Sequence, residues 1–152
     1  MRTLGIDLGS RRVGLALSDA GGKLASPLEV LEVSSPDSAL DPVLRIIGAE
    51  GVERVVVGLP LNMDDSIGPA ARDAMAWAAT LRQRSQKPVL MVDERLSSFE
   101  AEQTLNERRQ SGENLTRKKK KKRLDAVAAA VLLQAFLDGR AAAIERDDHP
   151  EA

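Results

Sequence analysis

The sequence predicts an α/β domain: three antiparallel strands, then helix, strand, helix, strand and further helices, giving a mixed five-stranded sheet (three antiparallel and two parallel strands) flanked by helices. Three observations carry this. Bulky residues alternate with small ones on both sides of a short polar turn, in Leu4, Ile6, Leu8 and again in Val13, Leu15, Leu17. Two short apolar runs, around Val55 to Gly58 and Pro88 to Val92, lack that alternation, as strands buried on both faces of a parallel sheet do. Segments of helical spacing surround those runs.

Period two on either side of a tight connection makes the first two strands an antiparallel hairpin. Its second face, with Gly5, Gly9, Gly14 and Ala16, is bare except for Asp7. A turn at Ala20-Gly21-Gly22-Lys23 leads to a third strand around Leu28 to Val33. Ser35 then reads as an N-cap with Pro36 at the first helical position. Leu40, Val43, Leu44 and Ile47 follow at helical spacing, and Gly48 or Gly51 can end that helix. After the Val55 strand, the loop Leu59 to Gly68 leads to Pro69 and a helix whose inward stripe is Ala71, Ala74, Met75, Ala78 and Leu81. The strand Pro88 to Val92 ends at Asp93-Glu94-Arg95. Ser97-Ser98-Phe99-Glu100 has the spacing of a capping box and opens a helix to about Arg109, with a loop from Gln110 to Thr116. The last helix spans about Arg117 to Asp138 and contains the apolar run Ala126 to Leu133. One domain, residues 1–138, is expected, with a charged, flexible tail over 139–152.

The 152 residues contain no cysteine and one histidine, His149, close to the C-terminal end. A thiolate nucleophile, a Cys-ligated metal, a disulfide, a Ser-His-Asp triad and an HExxH zinc helix are thereby excluded or strongly disfavoured. Only carboxylates, Lys, Arg, hydroxyls or a bound metal are left for catalysis. Trp77, Phe99 and Phe136 are the only aromatic residues, too few for modules that stack successive bases on rings. No apolar run approaches the roughly 18 residues of a membrane span, and the N-terminus lacks the layout of a signal peptide, so a soluble cytoplasmic protein without a membrane partner is expected.

The net charge of −1 hides a segregation. Between Arg108 and Arg123 nine basic residues (Arg108, Arg109, Arg117, Lys118 to Lys122, Arg123) face one acid, Glu113. Such a segment is either a solvated helix face or an electrostatic contact for phosphates.

No GxGxxG occurs, and Leu15 stands where a GxxxxGK phosphate loop would carry lysine. Three acids stand where a charge is costly. Asp7 is centred on the bare strand face, which can either let a helix pack closely or leave room for a metal and a phosphate. Asp93 and Glu94 end a buried strand, the edge where open α/β sheets place ligands. Side chains alternate, so at most one of these two joins Asp7, and spacing does not choose between them. The alternative is a structural pairing with Arg95. Asp125 falls in the third turn of the last helix, directly before its apolar run, with a basic flank able to neutralise it. Acids from separate segments offer hard oxygen ligands, suited to Mg²⁺ or Mn²⁺.

Four motifs together resemble the YqgF/RuvX family of bacterial RNase H-like nucleases: Gly5-Ile6-Asp7-Leu8-Gly9-Ser10-Arg11-Arg12-Val13-Gly14-Leu15-Ala16-Leu17-Ser18-Asp19, Val57-Gly58-Leu59-Pro60-Leu61-Asn62-Met63-Asp64, Asp93-Glu94-Arg95-Leu96-Ser97-Ser98, and Asp125-Ala126-Val127-Ala128-Ala129 with Leu132-Leu133-Gln134. The resemblance covers roughly residues 1 to 138 and implies an RNase H-like fold with Asp7, Glu94 and Asp125 as the catalytic, metal-holding triad. It implies a metal-dependent nuclease acting in 5′-end maturation of pre-16S ribosomal RNA, or a Holliday junction resolvase acting on branched DNA. Arg12, Arg95, Arg117, Lys118, Lys119, Lys120, Lys121, Lys122 and Arg123 are the candidate phosphate contacts, and a monomer or homodimer is expected. Asp65 stands where the family usually has glycine, a position it can fill if that residue needs positive φ. Rival readings are a noncatalytic nucleic-acid-binding or ribosome-assembly factor, and an ATPase of the actin and sugar-kinase group, for which one domain is too short.

Overall fold

The computed structural model describes residues 1–95 and 117–144. The capping box at Ser97, the loop 110–116 and His149 lie outside the described residues. Five strands form one sheet in the order β3-β2-β1-β4-β5: β1 (Thr3–Leu8), β2 (Arg12–Ser18), β3 (Ala25–Glu32), β4 (Arg54–Leu59) and β5 (Val89–Asp93). The β1–β2–β3 pairings are antiparallel, while β4 runs parallel to β1 and β5 parallel to β4, the mixed sheet expected from the sequence.

Alternation in the hairpin decides which layer packs on which face. Leu4 pairs with Leu17, Ile6 with Leu15 and Leu8 with Val13, so one face is entirely bulky. It is covered by α1 (Leu40–Glu50) and α2 (Pro69–Ser85), whose Val43, Ile47, Trp77 and Leu81 close a core with Leu4, Ile6, Leu15, Val55 and Val57. Burying each such side chain contributes roughly 1.5–3 kcal/mol. The other face pairs Gly5 with Ala16 and Asp7 with Gly14, and α3 (Arg117–Leu137) lies on it through Ala129, Leu132 and Leu133. The contact leaves no room for side chains beneath: a Cβ at Gly5 would stand 2.8 Å from Leu133 Cβ, and one at Gly14 would stand 2.1 Å from the Asp125 carbonyl oxygen. At these two glycines the bare face is therefore filled by a helix and holds no phosphate-sized space. Gln134 ties α3 to the β2–β3 turn, accepting from Ala25 N (2.9 Å) and donating to Lys23 O (2.9 Å).

Two local expectations change, at Pro36 and at Trp77, and of the two glycines able to end α1 the second does so. Pro36 opens a 3-10 turn (Pro36–Ala39) that precedes α1, and the Ser35 side chain makes no capping hydrogen bond to it. Gly51, in the left-handed conformation at φ 64°, ends α1. Trp77 joins the alanines of the buried stripe of α2, outside the stripe expected from the sequence, and its indole N–H donates to Pro36 O (2.8 Å). After α3 the chain returns to the sheet, where Ile144 N donates to Met91 O (2.7 Å) on the outer edge of β5.

Gly14→Ala should cost about 3 kcal/mol or more of unfolding free energy, because backbone must move to accept the methyl group. Gly48→Ala, where a Cβ meets nothing within 4 Å inside α1, should instead stabilise by about 0.5–1 kcal/mol. Urea denaturation of both variants separates the two cases; equal effects would contradict the packing described.

Candidate active site

The face covered by α3 gathers the acids. Asp7 sits near the end of β1 on that face, opposite Gly14. On β5, Val92 packs into the α3-side core, so alternation turns Asp93 away and brings Glu94 to the same side as Asp7. Gly58 makes this possible. It follows Val57, the partner of Ile6, and a Cβ on it would lie 2.8 Å from Glu94 Oε2 and 2.9 Å from Glu94 Cβ. Glu94 thus crosses β4 over a glycine to hydrogen-bond Asp7, while its own amide donates to Leu59 O (3.3 Å). Sequence reasoning passed over Gly58; a glycine closing an otherwise β-branched strand was the signal available.

Asp125 approaches from α3, where its backbone rests against Gly14. Its carboxylate accepts from Arg12 Nε at 2.8 Å, a pair spanning 113 residues of sequence. The structure therefore joins Asp7 to Glu94 and brings Asp125 within electrostatic reach of Asp7, with Arg12 interposed as its partner. Among the described residues, no three acids converge as a preformed ion site.

Asp93, the acid left open beside Glu94, is a structural partner of Arg95: Arg95 Nε lies 3.0 Å from its Oδ1, and Nη2 2.5 Å from its Oδ2. Arg95 also donates to Asn62 O (2.8 Å) and to Asp65 Oδ1 (2.6 Å). Of the arginines expected at phosphates, Arg12 and Arg95 are thus engaged by carboxylates. Asp65 adopts the left-handed conformation (φ 68°) that a glycine would fill without strain. Arg117, Lys118 to Lys122 and Arg123 form the first turns of α3, leading into Asp125.

The electrostatics of the acidic pair are unusual. Burial, and then the charge of Asp125, push Asp7 up to about 6, offset in part by the hydrogen bond from Glu94. Burial, the charge of Asp7, their mutual hydrogen bond and Asp93 push Glu94 up to about 8. Near neutrality Glu94 holds the proton and donates it to Asp7. Two buried, mutually repelling carboxylates fit a hard divalent cation, whose charge would remove the penalty on ionising both.

This has a stability consequence with a definite sign. Raised carboxyl groups leave the folded chain holding more protons than the unfolded chain between the ordinary carboxylate range and about pH 8, so stability falls as pH rises through that window. Asp19, Asp64 and Asp93 are shifted downward by hydrogen bonds, and their contribution is lost only as pH falls through the carboxylate range. In EDTA, the melting temperature should decline from about pH 5 to about pH 8, Glu94→Gln should flatten the decline, and Mg²⁺ or Mn²⁺ should restore stability at the upper end. A level wild-type profile over that range would contradict the assignment.

A family model described as "RuvX: Holliday junction resolvase" matches residues 1–139. Two relatives, each described as "Putative pre-16S rRNA nuclease", come from Desulforudis audaxviator (strain MP104C), 41% identical over 140 residues, and Anaeromyxobacter sp. (strain Fw109-5), 46% identical over 140 residues. The alignments cover 92% of this chain in both cases, and 96% and 98% of the two relatives. Among solved structures, Thermus thermophilus RuvC superposes with TM-score 0.58 at 18% identity, covering 95% of this chain and 100% of the other. The Fowlpox virus resolvase, solved with Holliday junction DNA, superposes with TM-score 0.57 at 10% identity, covering 91% and 98%. These last two show a shared fold of the RNase H-like, RuvC type. The matching of one family model to nearly the whole described domain, and of relatives above 40% identity over the same span, establishes that the chain belongs to the RuvX family.

Proposed function

We propose that residues 1–138 form a nuclease domain hydrolysing phosphodiester bonds, with Asp7, Glu94 and Asp125 holding Mg²⁺ or Mn²⁺, and that its substrate is precursor ribosomal RNA at the 5′ end of pre-16S. The observation that carries the reading is the buried Asp7–Glu94 pair at the ends of β1 and β5. It is costly to folding, and cation binding relieves the cost. When bound, the cation supplies charge to activate water and to stabilise the leaving oxygen. With the cation bound, Asp7 and Glu94 would both be ionised, their shared proton released to solvent, and would hold the metal as oxygen ligands. Asp125 would be the third ligand, exchanging its ion pair with Arg12 for the cation. No histidine or cysteine is needed. The basic turns of α3 draw the phosphate backbone toward the acids, and the scarcity of rings favours recognition by shape over base stacking.

The relatives' descriptions support the ribosomal substrate, and such a substrate is consistent with work in the cytoplasm. Among the described residues no helix is long and apolar enough to cross a membrane. The family model's description favours a second reading, cleavage of branched DNA.

Incubating wild type and Asp7→Asn with precursor 16S RNA and with a four-way DNA junction, in Mg²⁺ and in Mn²⁺, decides among these. Metal-dependent cleavage of the RNA by wild type alone is expected; binding without cleavage of either would leave a noncatalytic factor. Asp7→Asn, Glu94→Gln and Asp125→Asn should each lower the rate by roughly a hundredfold or more with the fold retained. Gly58→Ala should act like Glu94→Gln on rate, since the methyl group displaces Glu94. Replacing Lys118 to Lys122 with Gln should flatten the dependence of log Kd on log salt by as much as about four, equally for unrelated sequences. An unchanged slope would make the run a solvated face.

A further inference from the structure

The loop between β4 and α2 carries a group that phosphodiester hydrolysis leaves unused. Met63 is 93% exposed. Exposed apolar side chains are common singly, so its position and support matter more than its exposure. Of the other large exposed apolar residues among those described, Met1 and Leu24 lie at the opposite end of the sheet from Asp7, and Leu28 is on the outer strand β3. Among these described residues, Met63 is the one at the edge where β4 and β5 end, four residues after Leu59, whose carbonyl accepts from Glu94 N.

The tip is braced. Asp65 N donates to Asn62 O (2.9 Å) and Asn62 N to Ser66 O (3.0 Å), closing the turn around Met63. Asp64 Oδ1 accepts from Ser66 N (3.0 Å) and Ser66 Oγ (2.5 Å). Arg95, the residue after Glu94, grips the turn from beside the site through Asn62 O and Asp65 Oδ1. A thioether is thus held out from a braced turn at the strand-end edge of the sheet that also carries Glu94. The loop 60–68 contains no basic residue and two carboxylates, Asp64 and Asp65, so it offers a phosphate nothing and a base an apolar, polarisable surface.

We propose that Met63 is a wedge that inserts beside a base at a helix end or branch point, so that the chain selects nucleic acid in which stacking is already interrupted. Unstacking costs least where a base is unpaired or at a junction, and apolar side chains of this size are suited to it. This deepens the nuclease reading and rests on it for the identity of the partner.

The test uses the full chain, with an RNA duplex bearing a single-stranded extension and a four-way DNA junction, each carrying 2-aminopurine at the nucleotide beside the junction. With EDTA present to keep the probes intact, saturating wild type should raise 2-aminopurine fluorescence severalfold on at least one probe. Met63→Ala, with an unchanged melting temperature, should leave fluorescence near that of the free probe at saturation, and Met63→Phe should restore the rise. With Mn²⁺ added, Met63→Ala should cleave about tenfold more slowly. A rise in Met63→Ala equal to wild type overturns the proposal, as expected if Met63 instead meets a protein partner; so does the lack of any wild-type rise on both probes, through absent binding or otherwise. A Met63-dependent rise without cleavage by wild type would sustain the wedge and defeat the nuclease reading, and cleavage indifferent to Met63 would do the reverse.

Discussion

The contact between α3 and the glycine face of the β1–β2 hairpin is the constraint on which the rest depends. With the Asp125 carbonyl oxygen occupying the place a Cβ at Gly14 would take, the helix sits closer to the sheet than any side chain at that position would permit. That distance brings an acid on the third turn of α3 to an acid on β1, although 117 positions separate Asp125 from Asp7 in the sequence. The same close packing buries Asp7, so the layer contact that builds the hydrophobic core also creates the electrostatic tension of the site.

That tension is divided between the parts of the molecule in a consistent way. Glu94 reaches Asp7 because β4 offers a glycine to cross, and its proton keeps two buried carboxyl groups compatible. Asp125, more exposed, is balanced by Arg12 at the start of β2. Asp93, one residue from Glu94 but on the other face, is neutralised by Arg95, which reaches onward to the 62–66 turn. These four acids have three kinds of counterpart: a proton shared by Asp7 and Glu94, a guanidinium at the hairpin for Asp125, and a guanidinium at the strand end for Asp93. Only the proton-sharing pair leaves a charge deficit that a metal ion would remove.

Much of this was legible in the residues. Alternation exposed the bare hairpin face and the lone Asp7, and the unbroken Val55–Val57 run marked a strand covered on both sides. The choice between Asp93 and Glu94 was not legible from spacing, because alternation says that two neighbours part company without saying which face is which. The resemblance chose Glu94, and the packing of Val92 supplies the physical reason why Glu94 lies beside Asp7. The Arg12–Asp125 and Arg95–Asp65 pairs were beyond reach in particulars, since they join segments that only the folded chain brings together. Trp77 was missed because an alanine-rich stripe already satisfied the helical period.

The return of the chain to the sheet after α3 bears on where the domain can be cut. The family match stops at residue 139, and a boundary there looks natural by sequence alone. Yet Ile144 bonds to Met91 on β5 and packs beside Leu59 and Leu61. A fragment trimmed at the family boundary would uncover a strand edge with apolar neighbours, a ready template for pairing with another copy. Its loss would be felt first as poor solubility, in a fragment whose acids are all still present.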